Sequence, residues 1–343
     1  MRLQKILSLL IVSFLPLFAF DSLQEVLEYL QKMPLKKRIE HELLRAVEEG
    51  RNSDAKLLLP LSKEIQVKKP LLNVLLQPPQ KPAIVVSKNE QKLMVIVDYN
   101  IMESTSCITG KKKGDKLKEG DQRTPNGIYF PLTFIDGSKL SPIYGKGAFP
   151  LNYPNIIDER FFKRDGHGIW LHDTNDTSRR PYSSNGCVVL YPNFFEKIRR
   201  LIAFKETPVV IVEDFDYTDP KTFNDTRRSI GFFVYEWKKA WENSPQDIER
   251  YLSFYSKDFI SRFENLEAFK EYKRRVTKNK KWIKIDLDDL FILKDGRVLD
   301  FGNIYVARFK MDYRSNNFNW SGVKLLYIIK DDSGWKILAE ESL

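Results

Sequence analysis

The alternation of apolar and polar positions divides this chain into three regions. From residue 21 to about 80, "SLQEVLEYLQKM" and "KKRIEHELLRAVEEG" place Leu, Ile and Val at helical spacing. Ser22 followed by Glu25 predicts a capping box. "QPPQKPAIVV" then breaks the helical pattern. From residue 81 to about 215 the pattern turns to short apolar runs punctuated by Gly and Pro: "AIVVSK", "KLMVIVDY", "GIYFPLTFI", "GIWLHD", "CVVLY" and "PVVIVED". These predict strands. "NFFEKIRRLIAF" is the one clear helix among them. "DYTDPKTFNDT" reads as a linker. From residue 222 to 343 a long helical segment, "IGFFVYEWKKAWENSPQDIERYLSFYS", precedes strands such as "GNIYVARFKMDYR", "VKLLYIIK" and "WKILAEE". The predicted class is multidomain α+β, with a helical N-terminal segment, a β-rich middle and an α+β C-terminal domain.

Composition narrows the partners. The 343 residues are 42% hydrophobic and 30% charged, as expected of folded globular domains. The formal charge of +10 favours an anionic partner: nucleic acid, anionic lipid or a carboxylate-rich polymer. The opening "MRLQKILSLLIVSFLPLFAF" carries Arg2 and Lys5 ahead of an apolar run interrupted by Pro16. It predicts a signal peptide over residues 1–20, cleaved after Ala19. Export to the periplasm argues against nucleic acid.

The candidate chemistry rests on few residues. The only cysteines are Cys107 and Cys187, and the only histidines are His41, His167 and His172. One disulfide between the cysteines is conceivable in an oxidising compartment. Cys107, in "MESTSCITG", reads better as a small buried residue. Two cysteines eighty residues apart do not provide the three or four ligands of a zinc site, so neither metal nor cofactor is expected. His167 and His172 flank "HGIWLH", and their odd spacing puts them on opposite faces of a strand. Trp170 shares the parity of His172. Cys187 follows Gly186 and stands shortly before a helix, where a thiol can be activated by an imidazole and a lowered pKa is expected. The N–H groups of Gly186 and Cys187 can form an oxyanion hole. On residues alone, a nucleophilic and a structural cysteine remain equally open.

A resemblance to a known family bears on that choice. "LHDT" at 171–174, "SSNGCVVL" at 183–190, "DQRTPNGIYF" at 121–130 and "AFPLNYPNIIDE" at 148–159 resemble, in order, segments of the L,D-transpeptidase (YkuD) catalytic domain. The resemblance implies that Cys187 is the nucleophile, His172 the general base and the Asp173 backbone carbonyl the group that orients the imidazole. Three positions depart from the family's pattern. Asn185 stands in place of a His, Asp173 in place of a Gly, and Val189 where Arg is common. Another cation must then meet the substrate carboxylate, with Arg179 and Arg180 the nearest in sequence. Trp170, Ser184 and Asn185 complete the expected substrate-binding set. "GKKKGDKLKEG" at 110–120 lacks the ending of a P-loop and reads as a solvated basic hairpin.

The C-terminal region resembles the NTF2-like cone fold through "WKKAWENSPQDIERYLSFYSKDF" and the closing "GWKIL". No histidine follows His172, so a non-catalytic pocket for glycan or peptide is expected there. Trp237, Trp241, Tyr251, Trp282, Trp320 and Trp335 supply core and stacking surface. Arg274, Arg275, Lys278, Lys280 and Lys281 supply positive charge. The order of domains resembles the periplasmic L,D-carboxypeptidases that trim peptidoglycan in helical and curved bacteria. This implies removal of the terminal D-alanine from tetrapeptide stems, with effects on cell shape. The rivals are an L,D-transpeptidase that cross-links peptidoglycan and a non-catalytic peptidoglycan-binding protein. About sixty residues build only a marginal core, so the helical segment is expected to pack on another domain or to form a homodimer.

Overall fold

The computed structural model describes residues 33–261 and 265–343. The expected signal peptide and the capping box at Ser22 and Glu25 lie outside the described residues. Among the described residues no helix is long and apolar enough to cross a membrane.

Among the described residues, those up to Glu64 form one compact unit and those from Ile65 onward a second. The first contains helices α1 (Leu35–Glu48) and α2 (Asn52–Ser62), which pack against each other. The helical pattern expected to run to about residue 80 ends at Ser62.

The second unit contains three sheets. Strands β2 (Ala83–Ser87), β3 (Lys92–Val97), β4 (Asn100–Ser106), β5 (Gly127–Tyr129) and β10 (Val209–Val212) form a five-stranded sheet in the order β4-β3-β2-β10-β5. The apolar runs of β2 and β10 are continuous because both faces of this sheet are covered. Ala83, Val85, Val210 and Val212 enter one core. Ile84, Val86, Val209 and Ile211 enter another. Parity along each strand sorts the residues between the two.

The first core is shared with the C-terminal sheet. That sheet has six strands in the order β1-β12-β13-β14-β15-β11: β1 (Val74–Leu76), β11 (Tyr255–Ile260), β12 (Ile283–Leu299), β13 (Gly302–Ser315), β14 (Asn319–Asp331) and β15 (Gly334–Ser342). Phe291, Leu293, Val306, Leu325 and Tyr327 pack in the same cluster as Val85 and Val210. A buried ionic cluster joins the two sheets. From β12, Arg297 donates to Asp295 on its own strand (2.7 Å) and to Asp158 (2.6 Å) on helix α3 (Ile156–Arg160). Arg297 and Asp158 are fully buried.

Two sequence expectations change here. Helix α5 (Pro220–Glu242) starts inside the stretch read as a linker. Asp219 accepts from Thr222 N–H (2.9 Å), and Pro220 occupies the first turn, where its missing N–H costs nothing. The long helical segment also divides. After α5 and α6 (Ile248–Leu252) the chain becomes β11, and helix α7 (Leu266–Thr277) follows. Strand β12 has no clear alternation in sequence because two register shifts, at Asp288/Phe291 and Lys294/Val298, reset its parity.

The second core carries the third sheet, β6 (Ile135–Asp136), β7 (Gly147–Pro150), β8 (Trp170–His172) and β9 (Val188–Val189), and helix α4 (Pro192–Arg199). Leu171, Val188 and Leu190 are buried in it beside Phe195 and Ile198. These apolar anchors fix the residues between them.

Candidate active site

Strands β8 and β9 run parallel, with Leu171 opposite Val188 and His172 opposite Val189. Paired residues share a face, and so do residues two apart on a strand. Leu171 and Val188 therefore point into the core. His172 and Cys187, two residues before Val189, fall on the other side together. The fifteen residues joining the strands form a long loop that carries Arg179. Loops of that length in a compact domain are commonly functional.

His172 is 3% exposed. Its Nδ1 lies 2.6 Å from the Asp173 carbonyl oxygen. A carbonyl only accepts, so Nδ1 carries the proton of the neutral imidazole and Nε2 keeps its lone pair. Burial lowers the pKa to about 4. The bond to Asp173 raises it in part, and the Arg179 charge lowers it further. At neutral pH His172 is an uncharged base.

Cys187 is half-buried and free. Its thiol donates to the Gly168 carbonyl at 3.4 Å. Desolvation raises its pKa, against the opposing pull of the Trp170 backbone N–H and the charges of Arg179 and Lys116. This corrects the expected lowered pKa. The resting pair is a thiol and a neutral imidazole, because the site is drier than its cations can offset.

The turn before Cys187 is shaped by glycine and serine. Gly186 has φ +131°, and a Cβ there would stand 3.0 Å from the Arg123 carbonyl oxygen. Gly186 N–H donates to Ser184 Oγ (3.1 Å), and Ser184 Oγ donates to the Cys187 carbonyl (2.7 Å). Ser184 is 1% exposed. Gly186 N–H is thus taken up within the turn, and Ser184 braces the turn from inside.

The remaining expected residues separate. Trp170 lies on the His172 face, half-buried. Asn185 is exposed and accepts from Lys111 Nζ (3.0 Å). Arg179 donates to Ser183 Oγ (3.2 Å), and its charge reaches both His172 and Cys187. Arg180 is exposed. His167 is exposed beside Glu119, at 3.8 Å. Cys107 is buried beneath the sheet with its thiol pushed up to about 12 by desolvation, and no disulfide joins it to Cys187. Among the described residues no group of three or more His, Cys, Asp or Glu side chains is placed to hold a metal ion.

Three contributors were not legible in sequence. The basic segment is not a detached hairpin. Gly110 bridges to Ser184, and Lys116 is buried against Asp121 (2.8 Å) with its charge acting on Cys187. Gly168 contributes only a carbonyl. Tyr144, in a turn between β6 and β7, packs its ring 4.8 Å from the His172 ring and 5.1 Å from Trp170. Only the pairing of β7 with β8 brings it there.

The C-terminal domain holds a separate cavity of about 460 Å³, lined by Trp241, Tyr313, Phe318, Lys273, Lys280 and Lys324 among others. Lys273 lies 4.6 Å from the Trp241 ring centre, and Lys280 lies 5.4 Å from that of Phe318. Of the basic residues expected to matter, Arg275 and Lys280 line the cavity, while Arg274 pairs with Glu249 (2.8 Å). Trp237 and Tyr251 are core, and Trp282 is exposed.

Comparison with known proteins agrees with this architecture. Residues 81–211 match the L,D-transpeptidase catalytic domain (YkuD), and residues 229–341 match the Cds6 C-terminal NTF2-like domain. Bd1075 of Bdellovibrio bacteriovorus is 30% identical over 80% of this chain and 96% of its own, with a TM-score of 0.64. The helical cell shape determining protein Pgp2 of Campylobacter jejuni is 28% identical over 84% of this chain and 100% of its own, with a TM-score of 0.66. No curated protein matches the sequence.

Proposed function

This chain belongs to the L,D-transpeptidase (YkuD) family with a C-terminal NTF2-like domain, and we propose that it is a periplasmic, cysteine-dependent L,D-carboxypeptidase of peptidoglycan. The observation that carries the reading is the Nδ1 bond from His172 to the Asp173 carbonyl, which leaves Nε2 as a neutral base on the face that Cys187 shares. The similarity to a cell shape determining protein supports a role in trimming the wall.

In this reading the substrate is a tetrapeptide stem. Cys187 Sγ bonds to the carbonyl carbon between the L-centre of meso-diaminopimelate and the terminal D-alanine, and His172 Nε2 takes the thiol proton. The oxyanion meets Cys187 N–H. His172 returns the proton to the leaving D-alanine amine. A water then gives its proton to Nε2 and its oxygen to the thioester carbon, releasing the tripeptide and restoring the thiol. Arg179, whose charge acts on both His172 and Cys187, is the cation assigned to the D-alanine carboxylate.

The C-terminal cavity suits the polymer itself. Aromatic rings offer stacking surface to sugars, and Lys273, Lys280 and Lys324 attract stem carboxylates. Helices α1 and α2 are read as a self-association element, tested by comparing the mass in solution of the full chain with that of a chain lacking residues 33–64.

Digestion of purified tetrapeptide muropeptide, followed by mass spectrometry, tests the activity. Tripeptide and free D-alanine are expected. Cross-linked dimers in place of tripeptide mean that an amine, not water, resolves the thioester. No product of either kind, with a titratable Cys187 thiol, leaves only a binding role.

A further inference from the structure

Asp173 presents more than its carbonyl. Its side chain is fully buried, and Oδ2 accepts the Lys146 backbone N–H at 2.9 Å. Its own N–H donates to the Gly147 carbonyl (3.1 Å). Two residues on, Asn175 Nδ2 donates to the Pro142 carbonyl (2.9 Å). The turn Ser141–Lys146 is thus pinned twice by the segment that follows β8. Gly145 has φ +51°, and a Cβ there would fall 2.5 Å from Asp173 Oδ2 and 2.7 Å from its Cγ. The turn fits the carboxylate only as glycine. Tyr144, next to that glycine, is the residue whose ring meets His172.

From this geometry we infer that the Asp173 carboxylate is a positioning group, which holds the Ser141–Lys146 turn so that Tyr144 stays seated as a wall on the catalytic imidazole. One residue then controls His172 in two ways. Its carbonyl sets the tautomer, and its carboxylate sets the cover. The family's usual glycine at this position retains the first and lacks the second. The inference rests on reading His172 as the base, yet it is tested without substrate.

The charged and titratable groups around the imidazole are Tyr144 and Lys146 from the turn, Cys187 just before β9, and Asp173 and Arg179 from the loop after β8. Lys146 Nζ is turned to Glu196 (3.7 Å). Removing the Asp173 charge by itself should lower the His172 pKa, because an anion nearby favours imidazolium. Losing the Tyr144 cover should raise it, because water returns. The two effects have opposite signs, and this separates positioning from a direct charge effect.

The experiment is the NMR titration of 15N-histidine-labelled full chain, simple to assign with three histidines. His172 is expected to titrate at about 4 in the parent. In Tyr144→Ala its midpoint should rise by about one unit or more towards the ordinary 6.5. Asp173→Ala and Gly145→Ala should move it in the same direction. Asp173→Asn keeps an acceptor for Lys146 N–H and should leave the midpoint in place or slightly lower. The double variant Asp173→Ala/Tyr144→Ala should move it no further than the larger single change. A midpoint that falls in Asp173→Ala, or stays fixed in Tyr144→Ala, overturns the inference, and so does a double variant whose shift is the sum of the singles. If Asp173→Ala does not fold, Tyr144→Ala and Gly145→Ala carry the test. Muropeptide digestion judges the carboxypeptidase reading independently of this titration.

Discussion

The catalytic cleft and the C-terminal cavity are built from different materials. Around Cys187 the working groups are largely backbone: the Asp173 and Gly168 carbonyls, the Trp170 N–H and the Cys187 N–H. They come from β8, the residues that flank it and the turn between Ser184 and Cys187. In the C-terminal cavity the working groups are side chains. Lys273, Lys280, Tyr313 and Lys324 come from α7, the loop after it, β13 and β14. A backbone-built site tolerates change in most side chains but not in the two proposed to react, Cys187 and His172. A side-chain-built pocket spreads its contribution over many residues, so no single loss is decisive.

The most direct way to break this comparison is to remove the nucleophile. Cys187→Ala should reduce D-alanine release by at least about 10³-fold, with the melting temperature unchanged. Retained turnover would remove the cleft from the mechanism. The next effect tests the joint between the two regions. Arg297→Met leaves Asp295 buried without its cation and Asp158 with Arg164 alone, and denaturant unfolding should show a loss of about 3–5 kcal/mol. A small loss would mean that the two domains are held together by the shared apolar core alone.

The acid limb of kcat/KM sharpens the cleft side. In the proposed mechanism His172 acts only when neutral, and burial holds its pKa at about 4. Activity should therefore persist as pH falls from 7 to 5 and be lost through about pH 4. A limb near the ordinary 6.5 would mean that water reaches the imidazole. On the cavity side, Lys273→Ala and Lys280→Ala should each weaken co-sedimentation of the full chain with sacculi by about 0.5–1 kcal/mol, and salt should weaken it further. Turnover of sacculi should fall more than turnover of soluble muropeptides. The smallest change separates the paired arginines. Arg179→Ala should lower kcat/KM by about tenfold, as expected for loss of a carboxylate partner worth about 1.4 kcal/mol. Arg180→Ala should stay within about twofold, because an exposed charge contributes little.

The same difference in materials explains what could be read in advance. A site made of backbone needs a short, fixed spelling, and "LHDT" with "SSNGC" supplies it. Cys187, His172 and the Asp173 carbonyl were legible as candidates for that reason. Tyr144 and Lys116 were not, because nothing local to "SPIYGKG" or "GKKKGDKLKEG" states which strand end each will meet. In the C-terminal domain the aromatic content was visible, but its division into core and cavity was not. Trp237 and Trp241 are four residues apart on one helix, yet only Trp241 reaches the cavity.

By itself the sequence determined the strands of the central sheet, the class of the fold, the family of the catalytic domain and the candidate pair of Cys187 and His172. Each of these rests on local periodicity or on a contiguous motif. Tertiary structure alone decided the protonation of that pair, the spent N–H of Gly186 and the inward turn of Ser184. It also decided the separation of Arg179 from Arg180 and the burial of Arg297 against Asp158. Desolvation and hydrogen bonding depend on groups far apart in the chain, and only packing brings them into one place.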